Sequence, residues 1–125
     1  MSTHCRIGIL LSDDQVASSH CHLDGYPNGL HGMHMRLNGL VQGFDKARRL
    51  ATSGDMRSLQ YSTKDHFSVE PETLKDADAH GAINQTLSDY EDAYRHGPDH
   101  HLYLYVSNQW WHFNGEWTVL TEKTS

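Results

Sequence analysis

Residues 20–34 read HCHLDGYPNGLHGMH and hold four histidines, a cysteine and an aspartate among three glycines and a proline. Two kinds of chemistry suit those residue types. His20 and His22 are two positions apart, so on a β-strand both imidazoles leave the same face. With Asp24 or Cys5 as a third donor they would form an open three-ligand site for zinc or another transition metal. Such a site activates water, which is the chemistry of a small metal-dependent hydrolase. Cys21 is a candidate nucleophile between two histidines, but strand neighbours point to opposite faces, so neither is placed to act as its base. The plainer alternative is a strand-to-helix corner in which His22 and Asp24 hydrogen-bond the turn while Tyr26 and Pro27 pack on the sheet. A chain with eleven histidines brings such pairs together by composition alone, which favours the corner. The stretch PDHH at 98–101 has the Asp-His-His form of certain phosphoesterases, whose scaffolds are much larger and carry further aspartates.

The elements that must position these residues begin with a hairpin. CRIGILL and QVASSHCHL are β-prone runs on either side of SDD, which predicts two strands joined tightly at Asp13 and Asp14. A two-residue connection opposes Leu11 to Val16, Ile9 to Ser18, Ile7 to His20 and Cys5 to His22. Cys5, His20 and His22 then share one face and Cys21 takes the other, and a slip of one residue reverses this. DGYPNG supplies two turn signals that carry the chain off the sheet. From residue 30 to residue 54 the spacing of Met33, Leu37, Leu40, Val41, Phe44, Ala47, Leu50 and Ala51 predicts a short helix, a break near Asn38, and a longer helix stopped at Gly54. Residues 60–82 are polar with weak periodicity and read as a loop with one helical turn after Pro71. SDYE at 88–91 has the form of a capping box, and HGP at 96–98 is a stop, so a helix of about two turns turns Tyr90, Ala93 and Tyr94 inward.

The C-terminal HHLYLYVSNQWWHFNGEWTVL reads as a three-stranded meander with two-residue connections at Ser107-Asn108 and Asn114-Gly115. That register places Leu102, Leu104, Val106, Trp111 and Phe113 on one face, a core against the helices. Tyr103, Tyr105, Trp110, His112 and Trp117 fall on the other. Left open, this second face is a stacking platform for a small nucleotide, with His112 bonding an edge or a phosphate and His22, Asp24 and Tyr26 contributing from the corner. Covered, it is an ordinary sheet face held by aromatic pairs.

Composition removes several function classes. The 125 residues suit one domain spanning 1–125 and are too few for a TIM barrel or a full dinucleotide-binding enzyme. Ten Lys and Arg against sixteen Asp and Glu, a formal charge of −6, argue against general nucleic-acid binding. No apolar run approaches the ~18 residues of a membrane span, and IGILL is a strand's length with no signal-peptide cleavage pattern after it, so a cytoplasmic protein is expected. Cys5 and Cys21 then read as two reduced, partly buried thiols.

CRIGILLSDDQVASSHCHLDGYPNGL followed by FDKARRLATSGDMRSL resembles a family of small bacteriophage and prophage proteins, with an Arg-Ile-Gly-Ile strand and a Cys-His-x-Asp-Gly-Tyr-Pro motif. The closing YLYVSNQWWHFNGEWTVL is similar to that family's Tyr-rich strand and Trp-containing hairpin. The matches are Cys21-His22, Asp24-Gly25-Tyr26-Pro27 and Gly54-Asp55, whereas His20, Leu23 and Asn28 depart from the pattern and His31 and His34 lie outside it. The resemblance implies a phage accessory protein acting in the host cytoplasm. The expected fold is α+β, a mostly antiparallel sheet made of the N-terminal hairpin and the C-terminal meander, with two or three helices on one face. The expected function is non-enzymatic and requires no cofactor: counteracting host defence by sequestering a small signalling nucleotide or by occupying a defence protein, with self-association left open. The alternative is a small metal-dependent hydrolase built on His20, His22 and Asp24.

Overall fold

A computed structural model describes residues 3–23, 25–27, 32–61, 69–74, 81–97 and 99–120. Strands β1 (Cys5–Ser12) and β2 (Gln15–Cys21) form the expected hairpin, with Ser12 paired to Gln15 across the turn. The next pair is Leu10 with Val16, so Leu11 is an extra residue in β1 with no partner. This bulge moves every later pairing by one position, giving Ile9 with Ala17, Arg6 with His20 and Cys5 with Cys21. The expected register is corrected accordingly. Both cysteines share the face of Ile7, Ile9 and Ala17, and His20 and His22 turn to the opposite face.

The sheet is mixed, which corrects the mostly antiparallel expectation. Its order is β4-β3-β2-β1-β6-β7-β8, with β5 also on β2. Strand β6 (His101–Val106) runs parallel to β1, from Cys5 with His101 to Ile9 with Tyr105. Strand β3 (Met56–Tyr61) is parallel to β2, meeting it at Cys21 with Met56. The chain between β2 and β3 contains a π-helical segment (His34–Asn38) and helix α1 (Phe44–Ala51), the helical crossover that a parallel pair demands. The break between the helical pieces falls at Val41–Gly43 instead of Asn38, and the second piece ends at Ala51 with Thr52 as its C-cap, short of the expected stop at Gly54, whose φ of 91° lies in the turn before β3. The stretch 60–82, read as a loop with a helical turn after Pro71, contains the end of β3 and strand β4 (Val69–Thr73), with Pro71 inside that strand, and β5 (Ile83–Gln85) follows just beyond it. Strand β4 is a sheet edge, the position at which Pro71 costs no ladder bond on its free side.

Helices cover both faces. Against one face, α1 and the π-helical segment bury Met33, Leu37, Ala47, Leu50 and Ala51 on Cys5, Ile7, Ile9, Cys21 and Met56. Against the other, helix α2 (Leu87–Arg95) sets Tyr90 on Val16, Leu102, Leu104 and Phe113. The cap of α2 is Thr86, whose Oγ1 accepts from the Asp89 N–H at 3.1 Å, so the helix starts two residues ahead of the SDYE reading. Tyr90 Oη donates to the Tyr103 carbonyl at 2.6 Å, with the Arg6 carbonyl at 3.1 Å, and a Cβ at Gly8 would lie only 3.0 Å from that hydroxyl. No helix among the described residues is long and apolar enough to cross a membrane.

The aromatic face is a covered one. Ser107 and Asn108 have φ of 51° and 65°, the tight turn expected, and Tyr105 pairs with Trp110 and Tyr103 with His112. Yet Tyr103, Tyr105, Trp110 and His112 are only 0–4 % exposed, because α1 and the π-helical segment lie over them. Their polar atoms are used inside the fold: Tyr103 Oη donates to the Gly25 carbonyl at 2.6 Å, Tyr105 Oη accepts from Gly43 N–H at 3.1 Å, and the Trp110 indole N–H donates to the Val41 carbonyl at 2.8 Å. The last turn has three connecting residues, pairing Phe113 with Trp117, so Trp117 crosses to the α2 face and donates to Glu91 at 2.7 Å. Trp111, expected in the core, is half-buried on that same face.

These placements separate the adjacent tryptophans. Trp110→Ala should lower the unfolding free energy by about 3–5 kcal/mol, and Trp111→Ala by only about 1 kcal/mol. Urea denaturation of both variants measures this, and equal losses would contradict the assigned faces.

Candidate functional site

Beyond the C-terminal end of α2, its sheet face gathers histidines. Alternation along β2 sends His20 and His22 outward while Cys21 goes to the core. His4 precedes β1 and is locked to the start of β6: its N–H donates to His100 Nδ1 at 3.1 Å, and the His100 N–H donates to the His4 carbonyl at 2.9 Å. The ring centroids lie 4.4 Å apart for His20 and His22, 5.5 Å for His4 and His20, and 5.9 Å for His4 and His22. One ring nitrogen from each of these three comes within 4.8 Å of the other two.

Two carboxylates stand behind the rings. Asp99 Oδ1 is 3.0 Å from His20 Nε2, and Asp55 Oδ2 is 3.9 Å from His22 Nε2. Asp99 is buried and its contact with His20 is close enough for an ion pair but is not aligned as a hydrogen bond. As a result His4 Nδ1, His20 Nε2, His22 Nε2 and Asp99 Oδ1 are all buried atoms with no hydrogen bond among the described residues. A buried polar atom without a hydrogen bond costs ~1–3 kcal/mol; the 3.0 Å contact offsets part of that for His20 Nε2 and Asp99 Oδ1, while His4 Nδ1 and His22 Nε2 have no contact that close among the described residues. Burial, with smaller contributions from His20, His100 and His22, lowers the His4 pKa below its ordinary value, against an opposing pull from Asp99. The neutral imidazole so favoured is the form that ligates metals.

Three neutral imidazoles suit zinc and similar divalent ions at about 2.0–2.1 Å per bond. Rotations about the side-chain torsions, without backbone change, would draw nitrogens now within 4.8 Å together. A three-histidine set leaves a fourth position for water, the arrangement of catalytic rather than structural zinc. Asp99 and Asp55 lie against Nε2 of His20 and His22, so they would orient these rings, as carboxylates do behind metal-bound histidines, when the rings ligate through Nδ1.

Of the expected metal set, His20 and His22 come together, Asp24 lies outside the described residues, and Cys5 is on the opposite face. His4, Asp99 and Asp55 were not anticipated. Asp99 and His100 do belong to the PDHH stretch, whose composition was the one available signal. The corner reading holds for its backbone: the Tyr26 carbonyl accepts from Met33 N–H at 2.9 Å, the Pro27 carbonyl accepts from His34 N–H at 3.1 Å and contacts His34 Nδ1 at 2.6 Å. A Cβ on Gly25 would sit 2.8 Å from Cys5 Cβ, which fixes glycine there. His22, expected to bond the turn, instead faces His20 and Asp55, and Tyr26 is half-buried. The platform residues Tyr103, Tyr105, Trp110 and His112 belong to the core below, and Trp117 to the far end of the α2 face.

His101 is also lowered, by burial first and His100 second, so it acts in the same direction as His4. The unfolded chain takes up these protons near the ordinary histidine value of 6.5 and the folded chain only at lower pH. Between those values the unfolded state binds more protons, so this contribution to stability is full above pH 6.5 and is lost as pH falls from there through the folded-state values. Melting temperatures of metal-free protein between about pH 5 and 8 should fall on the acid side, and His4→Gln with His101→Gln should flatten that slope. An unchanged slope in the double variant would contradict the assignment. Compared with protein-family models, curated proteins and solved structures, the chain matches none, and the histidine centre is read from its own geometry.

Proposed function

We propose that this chain is a metal-dependent protein that holds a zinc-class divalent cation on His4, His20 and His22 and uses it in hydrolysis. The observation that carries the reading is that His4, His20 and His22 each bring a ring nitrogen within 4.8 Å of the other two, where His4 Nδ1, His20 Nε2 and His22 Nε2 are buried without a hydrogen bond among the described residues. A zinc-class ion in a three-histidine site supplies a water whose pKa is lowered to about 7. The protein's own part is to keep His4 neutral and to hold His20 and His22 against Asp99 and Asp55. Asp99, buried with Oδ1 against His20 Nε2 and without a hydrogen bond there, is also a candidate to take a proton from a water at the centre.

The accessory role implied by the phage resemblance is a second reading, and one feature favours it. Leu10, Leu87, Leu104, Val106, Trp111 and Trp117 line an open apolar groove beside α2, with half-buried tryptophans of the kind that anchor protein partners. A nucleotide held by aromatic stacking would have to use that groove, since the Tyr103 face is covered.

Metal analysis of tag-free protein dialysed against zinc tests the main reading. The wild type should hold one zinc per chain, and His20→Ala with His22→Ala should reduce binding at least about a hundredfold, the scale of losing two ligands from such a site. Asp99→Asn should weaken binding by about 10–100-fold while leaving the stoichiometry. Zinc retention equal in the wild type and the double variant would overturn the centre, and zinc binding without metal-dependent hydrolysis of activated ester or phosphoester substrates would reduce it to a binding site.

A further inference from the structure

The histidine centre leaves unused the two thiols that its own strands place face to face. Cys5 and Cys21 are Cα partners across β1 and β2, both fully buried and both free. Opposed residues of an antiparallel pair have Cα atoms about 4.5–5.5 Å apart, inside the roughly 4.4–6.8 Å span of disulfides. A bond between them closes without parting the strands. The sequence neighbours of this pair are the proposed ligands, His4 beside Cys5 and His20 and His22 on either side of Cys21, all directed to the other face.

We propose that Cys5 and Cys21 are a reversible redox pair that a peroxide-class oxidant closes to a cross-strand disulfide, fastening together the strands that carry His4, His20 and His22. One of the two sulfurs, as its thiolate, attacks a peroxide oxygen, the O–O bond breaks, and its sulfenic acid forms as hydroxide leaves and takes the proton that this thiol released. The other sulfur then attacks the sulfenic sulfur, the S–O bond breaks, and the second water departs with the second thiol's proton. Two sulfurs are oxidised, one peroxide is reduced, and both thiol protons end in water. The link to the histidines rests on the metal reading, but formation of the disulfide does not.

Zinc-free protein treated with hydrogen peroxide, then denatured and alkylated, tests the pair by intact mass. The expected result is loss of both alkylatable thiols with a decrease of two hydrogens, no dimer, full reversal by dithiothreitol, and a higher melting temperature in the oxidised form. In zinc-loaded protein the oxidised form should release zinc to a chelator several-fold more slowly, and neither Cys5→Ser nor Cys21→Ala should show the difference. Two alkylatable thiols remaining, oxidation to sulfinic acid alone, or a disulfide that leaves the melting temperature unchanged would overturn the redox pair. Zinc release that is equal or faster after oxidation would overturn the fastening, and absence of zinc binding in the reduced wild type would instead count against the metal reading.

Discussion

The bulge at Leu11 is the constraint on which the arrangement of both chemically active groups depends. Ser12 and Gln15 pair across the turn as a two-residue connection requires, and the unpartnered Leu11 then shifts the rest of β1 by one position. Because side chains alternate, that one residue decides which set of groups enters the core. Without it, Cys5 would stand opposite His22, and the core would have to receive imidazoles that have no apolar partner there. With it, two small polarisable thiols meet inside the main core, and the histidines collect on the opposite side of the same strands. Leu11 itself stays 42 % exposed, a modest cost for the register it sets.

Parallel pairing of β6 with β1 then supplies what a hairpin alone lacks. It brings the entry of β6, with Asp99 and His100, alongside His4, about ninety-five positions earlier in the chain. It also buries the centre of the sheet on both faces, as parallel strands require, with Tyr103 under α1 and Leu102 under α2. Tyr90 ties the layers by reaching through the α2 face to the carbonyls of Tyr103 and Arg6. The helix ends before the histidines, so the face it covers gives way to polar groups at the point where β1 and β6 begin.

How much of this was legible differs by element, for physical reasons. The strands β1, β2, β6 and β7 and the helix around Tyr90 carry strong local signals, and they formed where alternation and capping residues placed them, within one or two positions. The pairing of β1 with β6 and of β2 with β3 leaves no local trace, so helices on both faces could not be foreseen from periodicity. Strand β5 is three residues long with two of them exposed, and β4 contains a proline, so both lack the apolar alternation by which strands are recognised. Trp117 changed face because Glu116 joined the turn, and a single added residue reverses an assignment of this kind. At the site, the spacing of His20 and His22 was informative, while His4, Asp55 and Asp99 come from three other parts of the chain and meet only through strand pairing.

The same reasoning explains why the aromatic residues and the histidines exchanged roles relative to their chemistry. Tyr and Trp look like ligand surfaces because they are large and carry a polar tip, but here each tip finds a backbone group inside the fold, at Gly25, Gly43 and Val41, and the ring area goes to core packing. Among the described residues His4 Nδ1, His20 Nε2 and His22 Nε2 have no such backbone partner. Imidazoles held together gain from a cation that accepts several of their lone pairs at once. A ligand that binds only the folded chain stabilises it in proportion to its free concentration over its dissociation constant, so the energy forgone at these nitrogens is restored when the site is filled. The fold and the proposed centre are therefore linked through β1 and β2, which carry His20, His22 and the approach to His4 on one face and much of the core on the other.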